Sequence, residues 1–386
     1  MWKIFALNNY KSSIAAALLL FFFTQPFFIW GYLFQNNYVQ FILGFIMAYL
    51  FLKNKEFVGI TKLLFICFLV IMVFQTYVQG RNIFYLLSIL PFSLLPFANK
   101  KFTKSTYNNF LNIYCFISFI SLIVWLLALI GIAPQIGTVA PLNQLKNFQY
   151  IHYPFLILSP GSYRFCCVFD EPGVVGTLSG IFLCIQGINL KDKRNVILLA
   201  SGLCSMSMFF YLMIAVYGVL YYITEKKSIW KAILMITIIF VISYVIQNIP
   251  VLNEIIGNRL EWNADEMRFV GDNRSSEELI SYLTNIVGTN EFWYGVNDKS
   301  DFWESVSGEC NIYITILMNG VLFCLLYLGF MLTYGLRFKK TWTAFILFIF
   351  VFLTCIYQRP FLFNAYFIFL WTYMARYEIM KETYID

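Results

Sequence analysis

Long apolar runs, separated by short polar and basic segments, account for most of this chain. Because a helix needs about 20 apolar residues to cross a bilayer, such runs predict an all-α integral membrane protein. Residues 1–386 are therefore expected to form a single polytopic membrane domain. The runs lie at about 13–34, 38–52, 63–79, 83–98, 108–132, 172–190, 195–223, 230–248, 309–335, 341–357 and 361–375.

Composition narrows the class of protein further. Hydrophobic residues make up 60% of the chain and charged residues 12%, against about 25% charged residues in soluble domains. The net charge of +7 is assigned to inner loops and to contact with anionic lipids, so no nucleic-acid partner is expected. The single histidine and the scattered cysteines offer no metal-ligand spacing, and no nucleotide-binding motif is present. We therefore expect neither a metal nor a cofactor.

The distribution of basic residues sets the expected topology. Short loops rich in lysine and arginine stay in the cytoplasm, which places both termini inside. The run 195–223 is 29 residues long and carries no charge. As one pass it would leave Lys226 and Lys227 outside, whereas two short passes interrupted near Ser205–Ser207 return them to the inside. The sequence thus predicts about twelve passes (11–12), with a break that is buried in protein or lines a wet cavity.

Two larger segments are expected on the outer side. The first, 132–170, contains four prolines. Its apolar stretch Tyr153–Leu158 is expected to lie at the interface or to re-enter it. The second, 249–308, is the longest polar segment of the chain.

An amphipathic helix is expected within the second outer segment. Ser275 and Glu278 have the spacing of a capping box. Apolar residues then recur on one helical face until Gly288 ends the pattern. This predicts a short helix at about 276–287 that lies on the membrane domain.

The segment from Arg164 to Gly180 places one cation and two acids at the start of an apolar run. Glu171 followed by Pro172 indicates a helix start, because proline is favoured in the first turn and acids suit the positive end of the helix dipole. Asp170 is assigned as the helix cap and Glu171 as the candidate base. The alternative is an ordinary helix entry at which Arg164 and the acids are simply solvated.

Three glycines of this segment favour tight packing. Gly173, Gly176 and Gly180 fall near one face of the expected helix, and small residues let a second helix approach closely. Charged groups beside such packing at a membrane surface are costly, so they are functional candidates. The segment is therefore the first candidate for an active site.

Further arginines are expected on the outer side, where the charge bias of membrane proteins disfavours them. Arg268 and Arg274 lie in the second outer segment, and Arg359 lies in the short link between the last two runs with no acid beside it. Guanidinium groups bind phosphate oxygens bidentately, so these residues are candidate ligands for a lipid diphosphate. Local pairing of Arg268 with Asp265, and of Arg274 with the glutamates that follow it, is the alternative.

Two other titratable residues are weaker candidates. Glu309 stands at the start of the ninth run, where a role in helix entry is expected. His152 is the single histidine and lies in the first outer segment. A histidine in such a place is expected to be a hydrogen-bonded interface residue more often than a catalyst.

Several of these features, taken in chain order, carry a resemblance to one family of membrane enzymes. They are Arg164, the segment Phe169-Asp-Glu-Pro-Gly, the interruption at 205–207, Arg268 and Arg274, Gly295, the segment 307–320 and Arg359-Pro360. Over about residues 110–376 the chain resembles the Wzy-type oligosaccharide repeat-unit polymerases of O-antigen and capsular polysaccharide, which belong to the O-antigen ligase superfamily.

The resemblance implies a metal-independent glycosyltransferase with a GT-C-like polymerase/ligase membrane fold. It also implies the bacterial inner membrane, with the active site on the outer side. Donor and acceptor would be oligosaccharides linked to undecaprenyl diphosphate, and a chain-length regulator and a flippase are further partners that such a role allows. Glu171 would serve as an acceptor-side base or as an acid that orients an arginine. The diphosphate ligands would be Arg164, Arg268, Arg274 and Arg359.

Three alternatives stay open. The first is a flippase or other transporter for lipid-linked oligosaccharide, although the sequence lacks the matched halves and mid-span charges expected of a transporter. The second is an O-antigen ligase, but related ligases carry a functional histidine in the second outer loop, where this chain has none. The third is a non-enzymatic scaffold for polysaccharide assembly.

Overall fold

The computed structural model divides the chain into two compact units. The first comprises Met1–Met213, Leu325–Phe352 and Phe361–Asp386, and the second comprises Ile214–Cys324 and Leu353–Pro360. The residues described are 2–26, 37–56, 60–78, 80, 87, 90–140, 149–161, 163–224, 228–248, 262–263, 268–269, 277–296, 312–339, 341–358, 362 and 364–376.

Helices dominate the described residues, and the strands are short. In chain order the helices are α1 Trp2–Phe23, α2 Asn37–Lys53, α3 Ile60–Val78, α4 Lys100–Leu129, α5 Pro172–Gln186, α6 Lys193–Cys204, α7 Met208–Thr224, α8 Ile229–Asn248, α9 Glu277–Ile286, α10 Asn290–Tyr294, α11 Ile312–Asn319, α12 Val321–Phe338, α13 Trp342–Gln358 and α14 Ala365–Arg376. A 3-10 helix, Leu90–Phe97, precedes α4. The strands are β1 Gly137–Val139, β2 Tyr150–Tyr153, β3 Leu156–Leu158, β4 Trp262–Asn263 and β5 Arg268–Phe269.

The prediction of a helical, membrane-embedded protein is confirmed at this level. Three helices, α3, α4 and α12, are long and apolar enough to cross a membrane. Shorter apolar helices are found at Tyr10–Phe23, Phe41–Lys53, Pro172–Gln186, Met208–Ile223 and Trp342–Tyr357.

The long helix α4 shows how the first unit is packed. Its N-terminus is capped by Asn99, whose side chain accepts a hydrogen bond from the Phe102 amide at 2.9 Å. The buried side of α4 includes the small polar residues Ser118 and Ser121, whereas Phe116 on the outer side is 65% exposed. Soluble helices show the reverse arrangement. Small polar residues between helices and large apolar residues outside are typical of packing within a membrane.

Two of the predicted runs differ from the helices in the structure. In the described part of 83–98, the residues Leu90–Phe97 form a 3-10 helix. Pro91 and Pro96 lack the amide hydrogen that a continuous α-helix would use, so only the shorter form is supported here. The run 309–335 is divided between α11 and α12, because Gly320 lies between them with a φ of 77°.

The first outer segment contains a three-stranded antiparallel sheet that the sequence did not predict. β1 pairs with β2, and β2 pairs with β3. All three residues of β3 are buried. The Ile157 amide donates a hydrogen bond to the Cys167 carbonyl at 2.9 Å. The apolar stretch Tyr153–Leu158 is thus a turn and a buried strand that hold the segment leading into α5.

In the second unit, α9 is a helix at the place where the amphipathic helix 276–287 was predicted. Gly288 follows it with a φ of 85°, whereas the predicted cap Ser275 lies outside the described residues. The buried face of α9 packs against Val296, which follows α10, and against residues of α11. This apolar cluster consists of Leu279, Ile286, Val296, Ile314 and Leu317.

Two glycines join the end of α10 to the break between α11 and α12. Gly295 has a φ of 94° and Gly320 a φ of 77°, a conformation that favours glycine. A Cβ on Gly295 would lie 2.8 Å from the Met318 carbonyl oxygen, and a Cβ on Gly320 would overlap the Trp293 carbonyl. The two backbones therefore touch at a distance that only glycine permits.

Candidate active site

The apolar run 195–223 is broken between α6 and α7. α6 ends at Cys204 and α7 begins at Met208. A Cβ on Gly202 would overlap the Phe210 ring, so the first turn of α7 packs back against the last turn of α6. The break predicted near Ser205–Ser207 is therefore confirmed.

Two glycines of α5 contact this break and the start of α7. A Cβ on Gly176 would overlap the Ser207 side chain, and one on Gly180 would lie 3.2 Å from the Met213 sulfur. The predicted close approach of another helix is confirmed at these two positions. The start of α5 and the break between α6 and α7 consequently lie side by side.

The carbonyl groups at the C-terminal end of α6 accept hydrogen bonds from residues of the break and of α7. A helix leaves its last carbonyls without partners of its own, so they need other donors. The Ser201 carbonyl accepts from the Ser205 amide at 3.0 Å, and the Gly202 carbonyl accepts from the Ser205 hydroxyl at 2.7 Å. The Leu203 carbonyl accepts from the Tyr211 hydroxyl at 3.0 Å.

The next three carbonyl groups are bound by the first outer segment. The Phe165 amide donates to the Cys204 carbonyl at 2.9 Å. Arg164 donates through Nε to the Ser205 carbonyl and through Nη2 to the Met206 carbonyl, each at 3.1 Å. A cation at the negative end of a helix is also favoured by the helix dipole. Arg164 therefore closes the end of α6, a role that the sequence did not suggest.

The structure corrects the predicted cap of α5. The N-cap is Glu171 and not Asp170, since α5 begins at Pro172. A residue before proline is held in an extended conformation, and Glu171 has a φ of −139° and a ψ of 138°. Its side chain makes no capping hydrogen bond to α5. The Glu171 carboxylate thus stands at the positive end of the helix, as predicted.

Cys166 is a buried thiol in the segment between Arg164 and the start of α5. Burial raises its pKa to about 12. The Arg164 guanidinium lowers that pKa, while the carboxylates of Asp170 and Glu171 raise it. The sulfur lies 3.6 Å from the Arg164 carbonyl oxygen, so this side chain packs against the backbone that carries Arg164.

Cys167 ties the same segment to α4. Its thiol donates to the Ser121 hydroxyl at 3.3 Å, and the Ser118 hydroxyl lies 3.9 Å from the sulfur. Burial raises the pKa of this thiol to about 11, and the bond with Ser121 lowers it in part. Sequence reasoning missed both cysteines and both serines, because adjacent cysteines and helix-interior serines carry no spacing signal.

Backbone strain is concentrated in the same place. Among the described residues, four non-glycine residues adopt a positive φ. Three of them belong to this site, namely Phe155 at 58°, Cys167 at 54° and Met206 at 49°. The Phe155 carbonyl is held by Ser121 and the Met206 carbonyl by Arg164. Such conformations cost about 1–3 kcal/mol each and cluster at functional sites.

The other predicted site residues are placed elsewhere or not described. His152 lies on β2, opposite Gly137 of β1 and Ile157 of β3, so it belongs to the sheet of the first outer segment. Arg268 begins β5, and its side chain lies outside the described part of the structure. The same holds for the whole of Arg274, Glu309 and Arg359.

The described residues hold a guanidinium at the break after α6 and a carboxylate at the start of α5, and these two places are in contact through Ser207 and Gly176. A guanidinium carries five N–H donors in a planar fork and suits phosphate or carboxylate oxygens. A carboxylate beside a bound substrate is able to accept a proton from a hydroxyl group. The arrangement is therefore suited to binding an anion and to proton transfer next to it.

A metal site and similarity to known proteins are two further indications of function that a chain can offer. Within the described residues, no three His, Cys, Asp or Glu side chains form a group that would hold a metal ion. Comparisons with family models, with curated proteins and with solved structures find no match to this chain.

Proposed function

We propose that the protein is a membrane glycosyltransferase that polymerises oligosaccharide repeat units carried on undecaprenyl diphosphate. The growing glycan leaves its diphosphate carrier and is joined to a hydroxyl group of the next lipid-linked unit. The bond between sugar and phosphate breaks, a new glycosidic bond forms, and the carrier diphosphate is released. The product is a surface polysaccharide, made at the outer face of the bacterial inner membrane.

The observation that carries this proposal is the fixed position of Arg164 at the break after α6. Through Ser207 and Gly176, this break contacts the helix that begins after Glu171. The bonds of Arg164 to two carbonyls of the break hold the plane of the guanidinium. Preorganised donors of this kind stabilise negative charge as it develops on a leaving group, without a metal. A diphosphate that departs from a sugar develops such charge.

The proposed roles follow from this chemistry. Glu171 accepts the proton of the acceptor hydroxyl or orients Arg164, and its place at the start of α5 supports either role. By sequence, Arg268, Arg274 and Arg359 are further candidate diphosphate ligands, while His152, Asp170 and Glu309 are second-rank candidates.

A twelve-pass topology with cytoplasmic termini is part of the same proposal. The break at Ser205–Ser207 supports it, because the run 195–223 is divided into separate helices, as two short passes require. α6 has 12 residues, which corresponds to about 18 Å, whereas the hydrocarbon core is about 30 Å thick. The break would then lie below the outer surface, where Arg164 binds its carbonyls.

Reconstitution of the purified protein with lipid-linked repeat units tests the proposal. Long-chain glycan should form without added metal or nucleotide. Arg164→Ala should lower the rate of polymer formation by about 10²–10³, the usual effect of removing one such donor. Glu171→Gln and Arg359→Ala should likewise abolish long chains. Thermal stability of each variant, measured in the same membranes, separates lost activity from lost folding.

Arg194→Ala is the matched control. Arg194 lies in the first turn of α6, at the opposite end from Arg164, and forms an ion pair with the N-cap residue Asp192 at 2.7 Å. This variant therefore also loses an arginine that interacts with one end of α6. It should keep polymer formation within about threefold of the wild type, since surface ion pairs contribute little. Glycan ladders of normal length from Arg164→Ala and Glu171→Gln would remove the catalytic assignment. Transport of lipid-linked oligosaccharide across the bilayer without lengthening would favour a flippase instead.

A further inference from the structure

Two aromatic side chains stand exposed in the segment that carries Arg164. Tyr163 is 72% exposed and Phe155 is 43% exposed. Tyr163 directly precedes Arg164, so the Cα atoms of the two residues are about 3.8 Å apart. Exposed aromatic residues in a membrane protein serve either as anchors among lipid headgroups or as contacts for a ligand.

Both residues are held to α4 through their backbones. The Ser121 hydroxyl donates to the Phe155 carbonyl, and Trp125 Nε1 donates to the Tyr163 carbonyl at 3.2 Å. Ser121 and Trp125 are four residues apart on α4, which is about 6 Å along its axis. The Trp125 ring also meets the Phe165 ring edge-on, with centroids 5.9 Å apart. The backbones of Phe155 and Tyr163 are thus bonded to neighbouring turns of α4.

The tight turn between β2 and β3 fixes the position of Phe155. Tyr153 pairs with Leu156. Pro154 and Phe155 between them therefore form a two-residue hairpin turn. Phe155 has a φ of 58°, as the third position of a turn with proline at the second requires. The Phe155 ring is therefore presented at the tip of a hairpin whose turn is bonded to Ser121.

We propose that Tyr163 and Phe155 bind sugar rings of the lipid-linked oligosaccharide, an assignment that rests on the proposed function. In that substrate the first sugar is bonded directly to the diphosphate. The groups that bind the diphosphate and the first sugar must therefore be neighbours, as Arg164 and Tyr163 are. Aromatic rings offer flat apolar surface to the C–H face of a sugar, and tyrosine adds a hydroxyl group at little entropic cost.

Binding to the purified protein in nanodiscs, measured with two probes, separates the sugar contact from the diphosphate contact. The first probe is undecaprenyl-diphosphate-linked oligosaccharide extracted from the source cells, and the second is undecaprenyl diphosphate without sugar. Tyr163→Ala should weaken binding of the first probe about tenfold, the size of one aromatic contact. Binding of the second should stay within about twofold. Tyr163→Phe keeps the ring and should bind both probes nearly as the wild type does.

Tyr77→Ala is the matched control, because Tyr77 is 84% exposed on α3, and it should alter binding of neither probe. Unchanged affinity of Tyr163→Ala for both probes overturns the assignment. An equal loss for both probes together with lower thermal stability identifies Tyr163 as a lipid anchor and overturns it too. A wild-type protein that binds the first probe more tightly than the second but makes no polymer contradicts the proposed polymerase, while the sugar contact stands.

Discussion

Each unit of the molecule contains an interrupted apolar helix, and the two interruptions are built from different residues. In the first unit, three non-glycine residues separate Cys204 of α6 from Met208 of α7. In the second, one glycine separates Asn319 of α11 from Val321 of α12. Both interruptions leave helix carbonyls that need donors, so the donors that each one uses are the informative difference.

Side chains supply several of the donors in the first interruption. The hydroxyls of Ser205 and Tyr211 and the guanidinium of Arg164 bind carbonyls there. In the second interruption, the backbone amide of Val296 binds the Leu317 carbonyl at 2.7 Å. The first arrangement holds a non-glycine residue in a strained conformation, whereas the second places glycine where a positive φ is required.

This difference distinguishes a candidate binding site, at the first interruption, from a structural joint, at the second. A guanidinium has five N–H donors, so Arg164 is able to contact a ligand while its bonds to two carbonyls hold it in place. At the second interruption the side-chain donor Asn319 binds the Thr315 carbonyl of its own helix at 2.8 Å, and the two glycine backbones in contact leave no room for a ligand between them. The proposed function therefore belongs with the first interruption, while the second holds α10 against α11.

The largest expected effect is at the joint. Gly320→Ala should destabilise the protein by about 4 kcal/mol, because a Cβ would overlap the Trp293 carbonyl and the φ of 77° is strained for alanine. Thermal unfolding in detergent, followed by near-ultraviolet circular dichroism, measures this loss. Gly329→Ala in α12 is the control, since nothing lies within 4 Å of its Cβ position. It should be neutral or slightly stabilising.

A normal unfolding temperature for Gly320→Ala would show that the two glycine backbones do not touch. The second interruption would then be as adaptable as the first, and the distinction between site and joint would fail. Gly295→Ala offers an independent check, because its Cβ would lie 2.8 Å from the Met318 carbonyl oxygen. Both substitutions act through backbone atoms, so no rotamer change is able to relieve them.

A smaller effect on stability is expected at Gly176 of α5, which contacts the first interruption. Gly176→Ala should cost about 1–3 kcal/mol, the usual range for overpacking, because its Cβ would overlap the Ser207 side chain. Moving Ser207 also moves the neighbouring carbonyls that Arg164 binds. The rate of polymer formation should therefore fall by more than the loss of folded protein alone would explain.

The substitution Ser207→Gly provides the rescue. It removes the Cβ that the alanine methyl would meet, so the double variant Gly176→Ala, Ser207→Gly should recover most of the lost stability. A double-mutant cycle from thermal unfolding gives the coupling between the two positions. Additive losses in that cycle would mean that Gly176 and Ser207 do not share one contact.

Much of the fold followed from residue patterns with a direct physical cause. The break at Ser205–Ser207 followed from charge, because only a reversal returns Lys226 and Lys227 to the inside. The start of α5 followed from Pro172, whose fixed φ suits a first turn. The wrong cap, Asp170, came from residue preference alone, while the restriction that proline places on Glu171 decided the matter.

Other features depend on contacts between segments far apart in the chain. Arg164 reaches Ser205 across 41 residues of sequence, and no local pattern reports such a partner. The contact between Gly295 and Gly320 likewise joins residues far apart in the chain, although both glycines belong to the segments that carry the family resemblance. The sheet in the first outer segment has strands of three and four residues, which are too short for an alternating pattern to stand out.

The smallest expected effect tests the strain itself. Met206→Gly should change stability by less than about 1 kcal/mol and in the stabilising direction, because relief of a positive φ of 49° is worth about 1–2 kcal/mol and the greater freedom of unfolded glycine offsets about half of it. Met208→Gly, two residues later, is the control. It removes the same side chain from a helical position and should destabilise by about 1 kcal/mol.

Opposite signs for these two substitutions in thermal unfolding would establish that the first interruption holds strain that glycine relieves. If Met206→Gly instead destabilised the protein as much as Met208→Gly does, position 206 would hold no strain. The first interruption would then differ from the second only in its donors. Because the guanidinium of Arg164 binds the Met206 carbonyl, a relaxed residue 206 should also let that carbonyl move. Met206→Gly should therefore lower polymer formation severalfold while stability is kept, an outcome that a purely structural break would not produce.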